Sequence, residues 1–220
     1  GKSKHLKAIA ASVMIASILS IAEQAIASDI YNNASSVGGN QQLIEEKEIN
    51  KNILEDHGFY AKNGQNQIIS IGKNAMSVIY GTAENPSKNS TLSGLFADNG
   101  NISVNADSIK LDGSQWYHDY LDGNGNTKQA YSVGIYATHN GKVSVSATGN
   151  LNNGPYSGEI DIHTSHYGIS ASDSGKIYLG GQENSSGQYT KDKLNKLIIV
   201  SDYNAGVYAA KEGSVIIDAK

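Results

Sequence analysis

Five near-identical phrases run through the chain: Gly58-Phe59-Tyr60-Ala61, Gly94-Leu95-Phe96-Ala97, Gly134-Ile135-Tyr136-Ala137, Gly168-Ile169-Ser170-Ala171 and Gly206-Val207-Tyr208-Ala209. Their glycines recur every 34–40 residues, and self-similarity at such a period marks an architecture of stacked units. Any fold for this chain must give each phrase the same place in its unit.

A second glycine follows each phrase, at Gly64, Gly100, Gly141, Gly175 and Gly213. An alternating apolar pair comes next: Ile69 with Ile71, Ile102 with Val104, Val143 with Val145, Ile177 with Leu179, and Val215 with Ile217. A third alternating pair closes each complete unit, as Val78 with Tyr80, Ile109 with Leu111, Ile160 with Ile162, and Ile198 with Val200. Spacing of two is strand spacing. The connecting segments are rich in Gly, Asn, Ser and Asp and carry no 3.6-residue apolar stripe, which argues against helical and leucine-rich repeats. Three short strands per unit, each pairing with its counterpart in the next, predict an all-β fold. It is a single-stranded parallel β-helix, a solenoid of about four to five coils rising roughly 4.8 Å each.

The repeat also sorts residues by face. Phe59, Leu95, Ile135, Ile169 and Val207 lie two residues from Ala61, Ala97, Ala137, Ala171 and Ala209, so both columns should point inward. Five alanines at one position imply a tight corner, where a larger side chain would overpack at a cost of roughly 1–3 kcal/mol. The intervening Tyr60, Phe96, Tyr136, Ser170 and Tyr208 then form an outward ladder. Stacked aromatics stabilise neighbouring strands, and Tyr is also enriched at binding surfaces, so Tyr60, Phe96, Tyr136 and Tyr208 are candidate ligand contacts. The phrase glycines are expected at positions of positive φ or of close backbone approach.

Lys2, Lys4, His5 and Lys7 precede an apolar stretch from Ala8 to Ala22, and Ala25-Ile26-Ala27 supplies the small-residue exit of a secretory signal peptide over 1–27. Residues 28–57 read as a polar leader and an amino-terminal cap, because a solenoid end exposes unpaired strands. The β-helix is expected over 58–220 and reads as cut at its carboxy end, since Lys220 falls in mid-coil. The chain carries a formal charge of −4, and loss of the three lysines in the first 27 residues makes the remainder more acidic, which argues against nucleic acid and anionic lipid as partners. With no cysteine, stability must come from coil stacking.

Two insertions leave the coil, Asp112 to Ala130 and Gly180 to Lys196. The first holds the single Trp, Trp116, with Tyr117 and Tyr120, a cluster that either contacts a partner or sugar or packs back onto the coil. It continues into Asp122-Gly123-Asn124-Gly125-Asn126, where Asp122, Asn124 and Asn126 alternate as in a calcium loop. Thr127 and Val133 replace the glycine and carboxylate such a loop requires, so an ordinary turn is the expectation and no metal or cofactor is assigned. His163 and His166 flank a bend without a third ligand at a recognisable spacing. No catalytic residue is assigned: Asp112, Asp161 and Asp202 do not share one register, and no Lys or Arg lies near Asp161 in sequence to complete a lyase or hydrolase cluster.

The basic-apolar start, the Gly-apolar-Tyr-Ala phrase followed by Gly-x-apolar-x-apolar, the wealth of Asn, Ser and Gly, and the lack of Cys together resemble the amino-terminal part of a bacterial autotransporter passenger of the pertactin-like β-helix kind. The likeness covers residues 1–27 and roughly 58–220. It implies an exported protein at the cell surface, in the outer membrane or extracellular, of a Gram-negative-type bacterium. It also implies a non-enzymatic adhesin that meets a host or neighbouring-cell glycan or protein, with membrane contact only through a carboxy-terminal barrel that this chain does not contain. The rival class is a secreted β-helix polysaccharide lyase or hydrolase, which requires a groove with clustered Asp and Lys or Arg.

Overall fold

The computed structural model describes residues 41–44, 49–71, 74–147, 158–183, 188–191 and 193–220, and the expected signal peptide and polar leader lie outside them. In chain order the strands are β1 (Gln41–Ile44), β2 (Ile49–Ile53), β3 (Phe59–Lys62), β4 (Asn66–Ser70), β5 (Ala75–Tyr80), β6 (Leu92–Asp98), β7 (Asn101–Ala106) and β8 (Ser108–Asp112). There follow β9 (Tyr117–Leu121), β10 (Thr127–Thr138), β11 (Lys142–Ala147), β12 (Glu159–Thr164), β13 (Ile169–Ala171) and β14 (Lys176–Leu179). The last are β15 (Gly181–Glu183), β16 (Tyr189–Lys191), β17 (Lys196–Ser201), β18 (Val207–Ala209) and β19 (Ser214–Ile217).

Three parallel sheets run the length of the molecule. The phrase sheet orders β3-β6-β10-β13-β18, the second β1-β4-β7-β11-β14-β19, and the third β2-β5-β8-β12-β17. The chain is thus a parallel β-solenoid of about four turns with three strands per coil. Phrase residues pair in strict register: Ile135 opposes Leu95 and Ile169, Tyr136 opposes Phe96 and Ser170, and Ala137 opposes Ala97 and Ala171. Leu95, Ile135 and Ile169 are fully buried with Ala97, Ala137 and Ala171. On the terminal strand β18, Val207 is 43% exposed.

The phrase glycines Gly58, Gly94, Gly134 and Gly168 owe their identity to close approach, since positive φ falls at other positions. A β-carbon on Gly168 would lie 2.2 Å from Ile199 Cγ2 and 2.7 Å from Gly206 O. The corner after the phrase is instead turned by left-handed residues such as His139 (φ 49°) and Asn140 (φ 61°). Gly141 comes next, where a β-carbon would meet Ala97 O at 2.2 Å. Hydrogen bonds continue through this corner, with Lys142 N donating to Gly100 O (2.9 Å) and Lys176 N to Gly141 O (2.9 Å).

Three registers differ from the sequence reading. In β5 Val78 aligns with Leu111 and Met76 takes the place opposite Ile109, so Tyr80 lies one interior step further along. In the first coil Ile69 aligns with Val104, and Gln67 takes the place opposite Ile102. Ile71 sits one interior step further along and bonds to Asn105 O. In β17 the residues aligned with the buried Ile160 and Ile162 are Leu197 and Ile199, so Ile198 and Val200 face outward, Val200 being 43% exposed. Leu197 to Val200 are all apolar, and such a run carries no phase of its own.

The residues expected to form a cap include β1 and β2, which add a parallel strand to the second and third sheets. Each expected insertion carries an antiparallel hairpin, β9–β10 and β15–β16. No helix forms among the described residues.

Candidate functional site

The outward ladder forms, and its geometry decides what it can do. Tyr60, Phe96 and Tyr136 stack with centroids 4.8 and 5.0 Å apart and planes 3° from parallel. His57 packs against the first two rings at 5.1 and 4.9 Å. The faces of these rings are spent on one another, so the middle of the ladder offers a ligand only ring edges. Ser170 breaks the column, and Tyr208 stacks on Tyr167 (4.5 Å).

Of the two alternatives for the aromatic insertion, packing back onto the coil holds for Trp116, which is 1% exposed and belongs to the core. Its indole Nε1 donates to Ser90 O (2.8 Å), and its ring lies over Gly81, where a β-carbon would meet Trp116 Cβ at 2.5 Å. Trp116 therefore cannot serve as a surface ligand contact. Ser165 Oγ donates to Trp116 O (2.7 Å), and Ser132 and Ser165 exchange backbone-to-hydroxyl bonds of 2.9 and 3.0 Å. Beside them the buried Tyr80 hydroxyl donates to Val133 O (2.6 Å), and burial pushes its phenol far above the ordinary range. Tyr120 is partly buried against the core, whereas Tyr117 stacks on the 64% exposed Tyr203 at 4.3 Å. The surface share of the cluster is therefore Tyr117, joined by Tyr203 from a later coil, a partner that sequence spacing does not reveal.

Asp122 closes the β9–β10 turn. Its Oδ1 accepts from Asn126 N and Asn124 N, both at 2.9 Å, and these bonds hold its carboxyl below the usual range. Asn126 Nδ2 donates to the other oxygen at 3.3 Å. This is the ordinary turn, with the carboxylate committed to local backbone. Among the described residues no group of three or more His, Asp or Glu side chains is placed to hold a metal ion. His163 Nε2 meets Asp202 Oδ1 at 3.0 Å, and His166 stacks on Tyr131 at 4.0 Å.

The third sheet supplies a constellation that spacing along the chain hides. Glu159 and Asp161 alternate with the buried Ile160 and Ile162 on β12 and so share its outer face. Lys110 on β8 is the register partner of Asp161, and Ser77 on β5 that of Lys110. The basic neighbour of Asp161 thus arrives from the preceding coil. Together with Ser108 these residues line a groove of about 340 Å³, to which Ala75, Met76 and Ile109 also contribute. Glu159 is 3% exposed; its Oε2 lies 3.5 Å from Lys196 Nζ yet accepts no hydrogen bond.

No family profile, curated protein or solved structure matches this chain.

Proposed function

We propose that this chain is the amino-terminal part of an exported bacterial surface passenger of the autotransporter kind, acting as an adhesin toward a host or neighbouring-cell glycan or protein. The observation that carries the reading is the architecture. A solenoid whose phrase residues stay in register over five strands is a rigid spacer, and it presents hairpins together with the exposed Leu121 and with Tyr203, on which Tyr117 stacks. Many weak contacts along such a body gain from multivalency. The basic-apolar residues 1–27 and the absence of cysteine accord with export. Fusing residues 1–27 to alkaline phosphatase tests the export half, because that enzyme is active only outside the cytoplasm. Binding of the purified chain, displayed multivalently on beads, to cultured epithelial cells tests the adhesion half. Active fusion and saturable binding that falls several-fold in Tyr203→Ser/Leu121→Ser are expected; an inactive fusion, or beads that bind no better than bare ones, contradict the reading.

A second reading, a secreted β-helix polysaccharide lyase or hydrolase, rests on the groove of Glu159, Asp161 and Lys110. Release of new sugar ends from a polysaccharide panel, lost in Asp161→Asn, would favour it over adhesion.

A further inference from the structure

We infer that the groove on the outer face of the third sheet is a binding site for one or two units of a neutral, polyhydroxylated sugar. The cavity of about 340 Å³ lies at the small end of ligand pockets and is built across three successive coils, from Ser77, Lys110 with Ser108, and Glu159 with Asp161. Its charges are of both signs: Lys110 is the register partner of Asp161 on the next coil, and Lys196 reaches Glu159 at 3.5 Å. That balance favours neither a free cation nor an anion. What remains is a set of acceptors and donors at strand spacing, matching a ligand whose adjacent groups both donate and accept. Sugar hydroxyls do this, and hydrogen bonds to ionised partners are the stronger kind. Glu159 gives the independent sign of an occupant. It is a carboxylate 96% buried at its side chain, with Oε2 accepting no hydrogen bond, on the wall of the cavity. Such an acceptor is satisfied when a hydroxyl donates to it. The chain has no arginine, and its lysines are point donors suited to a hydroxyl, lacking the planar fork that pairs two-pronged with an acidic sugar's carboxylate.

The inference goes beyond adhesion and beyond turnover: beads that fail to bind cells, or a polysaccharide left uncut, would not touch it. The test is amide and side-chain NMR of the full chain titrated with neutral hexoses, N-acetylhexosamines and their β-linked disaccharides, and separately with calcium, ethylammonium and inorganic phosphate. The expected result is saturable shifts at Ser77, Ser108, Lys110, Glu159 and Asp161 with at least one sugar. Its affinity should fall about tenfold or more in Glu159→Gln and in Lys110→Met. Ser77→Ala, a small change at a half-buried outer position, gives a third variant should either of those fail to fold, with a several-fold loss expected. Shifts at these residues with calcium, ethylammonium or phosphate but with no sugar would overturn the inference, as would sugar shifts confined to other parts of the surface or the absence of any shift.

Discussion

A β-carbon added to Gly134 would stand 2.4 Å from Ile162 Cγ2 and 2.5 Å from Gly168 O, so the phrase glycine and the third-strand isoleucine are packed as one corner of the prism. Gly206, the same position on the terminal phrase strand, has its nearest such neighbour, Ile199 Cγ2, at 3.3 Å. Gly134→Ala is therefore expected to destabilise by about 1–3 kcal/mol or more, and Gly206→Ala by less than about 1 kcal/mol. Urea melts of the two variants measure the difference; equal losses would mean that the corner is not closed by the coil above.

Trp116 is the sole tryptophan, so its fluorescence reports one site. The native protein should emit at short wavelength with little quenching by iodide, and emission should not shift when sugars are added. Trp116→Ala should cost about 3–5 kcal/mol, as for a large aromatic removed from a core. A long-wavelength, freely quenched native spectrum would put Trp116 on the surface instead.

The register of β17 makes opposite predictions for neighbouring residues. Ile199→Ala, partly buried against the core in the column of Ile162, should cost about 1–3 kcal/mol, while Val200→Ser should fall within about 0.5 kcal/mol of the native chain. Chemical denaturation of both variants checks the phase of the strand.

Acid should weaken the fold through His57. Burial holds its pKa below the ordinary 6.5, with Asp56 pulling it up and Lys88 adding to the depression, and its Nδ1 accepts from Ser93 N at 3.0 Å. A base with a lowered folded pKa is protonated first in the unfolded chain. Stability is thus fully present above about pH 6.5 and declines as pH falls from there toward the folded pKa. His57→Phe should keep the ring contact with Tyr60 and Phe96 while reducing that slope between pH 7 and 5. His166, also lowered by burial, leaves a residual slope. Melting temperature against pH for both proteins is the measurement, and identical slopes would remove His57 from the account.

What could be read from sequence follows from where the information lies. The phrase columns were legible because Gly, a branched or aromatic apolar residue, and Ala each answer a different steric demand at a fixed spacing. Leu197-Ile198-Ile199-Val200 was not, since four apolar residues in a row specify burial without phase. Gln67 concealed the first-coil register by placing an amide opposite Ile102, its Nε2 donating to Tyr60 O at 2.6 Å. The segment after Tyr80 carries no repeat of its own, and its place is set by long-range bonds: Glu55 accepts from Ser87 N and Oγ at 2.7 and 2.5 Å, and Trp116 donates to Ser90 O. The groove escaped for a related reason: Asp161 and Lys110 are strangers along the chain and neighbours only because one coil lies on another.

The most direct test of the stacked coils is a methyl NOE experiment on protein labelled only at alanine methyls. Ala97, Ala137 and Ala171 are register partners in consecutive phrase strands, with strands roughly 4.8 Å apart, so their methyls should give an unbroken series of strong cross-peaks that Ala61 and Ala209 extend at either end. Absence of the cross-peak between Ala97 and Ala137, or one linking Ala61 to Ala137 with Ala97 bypassed, would contradict the solenoid.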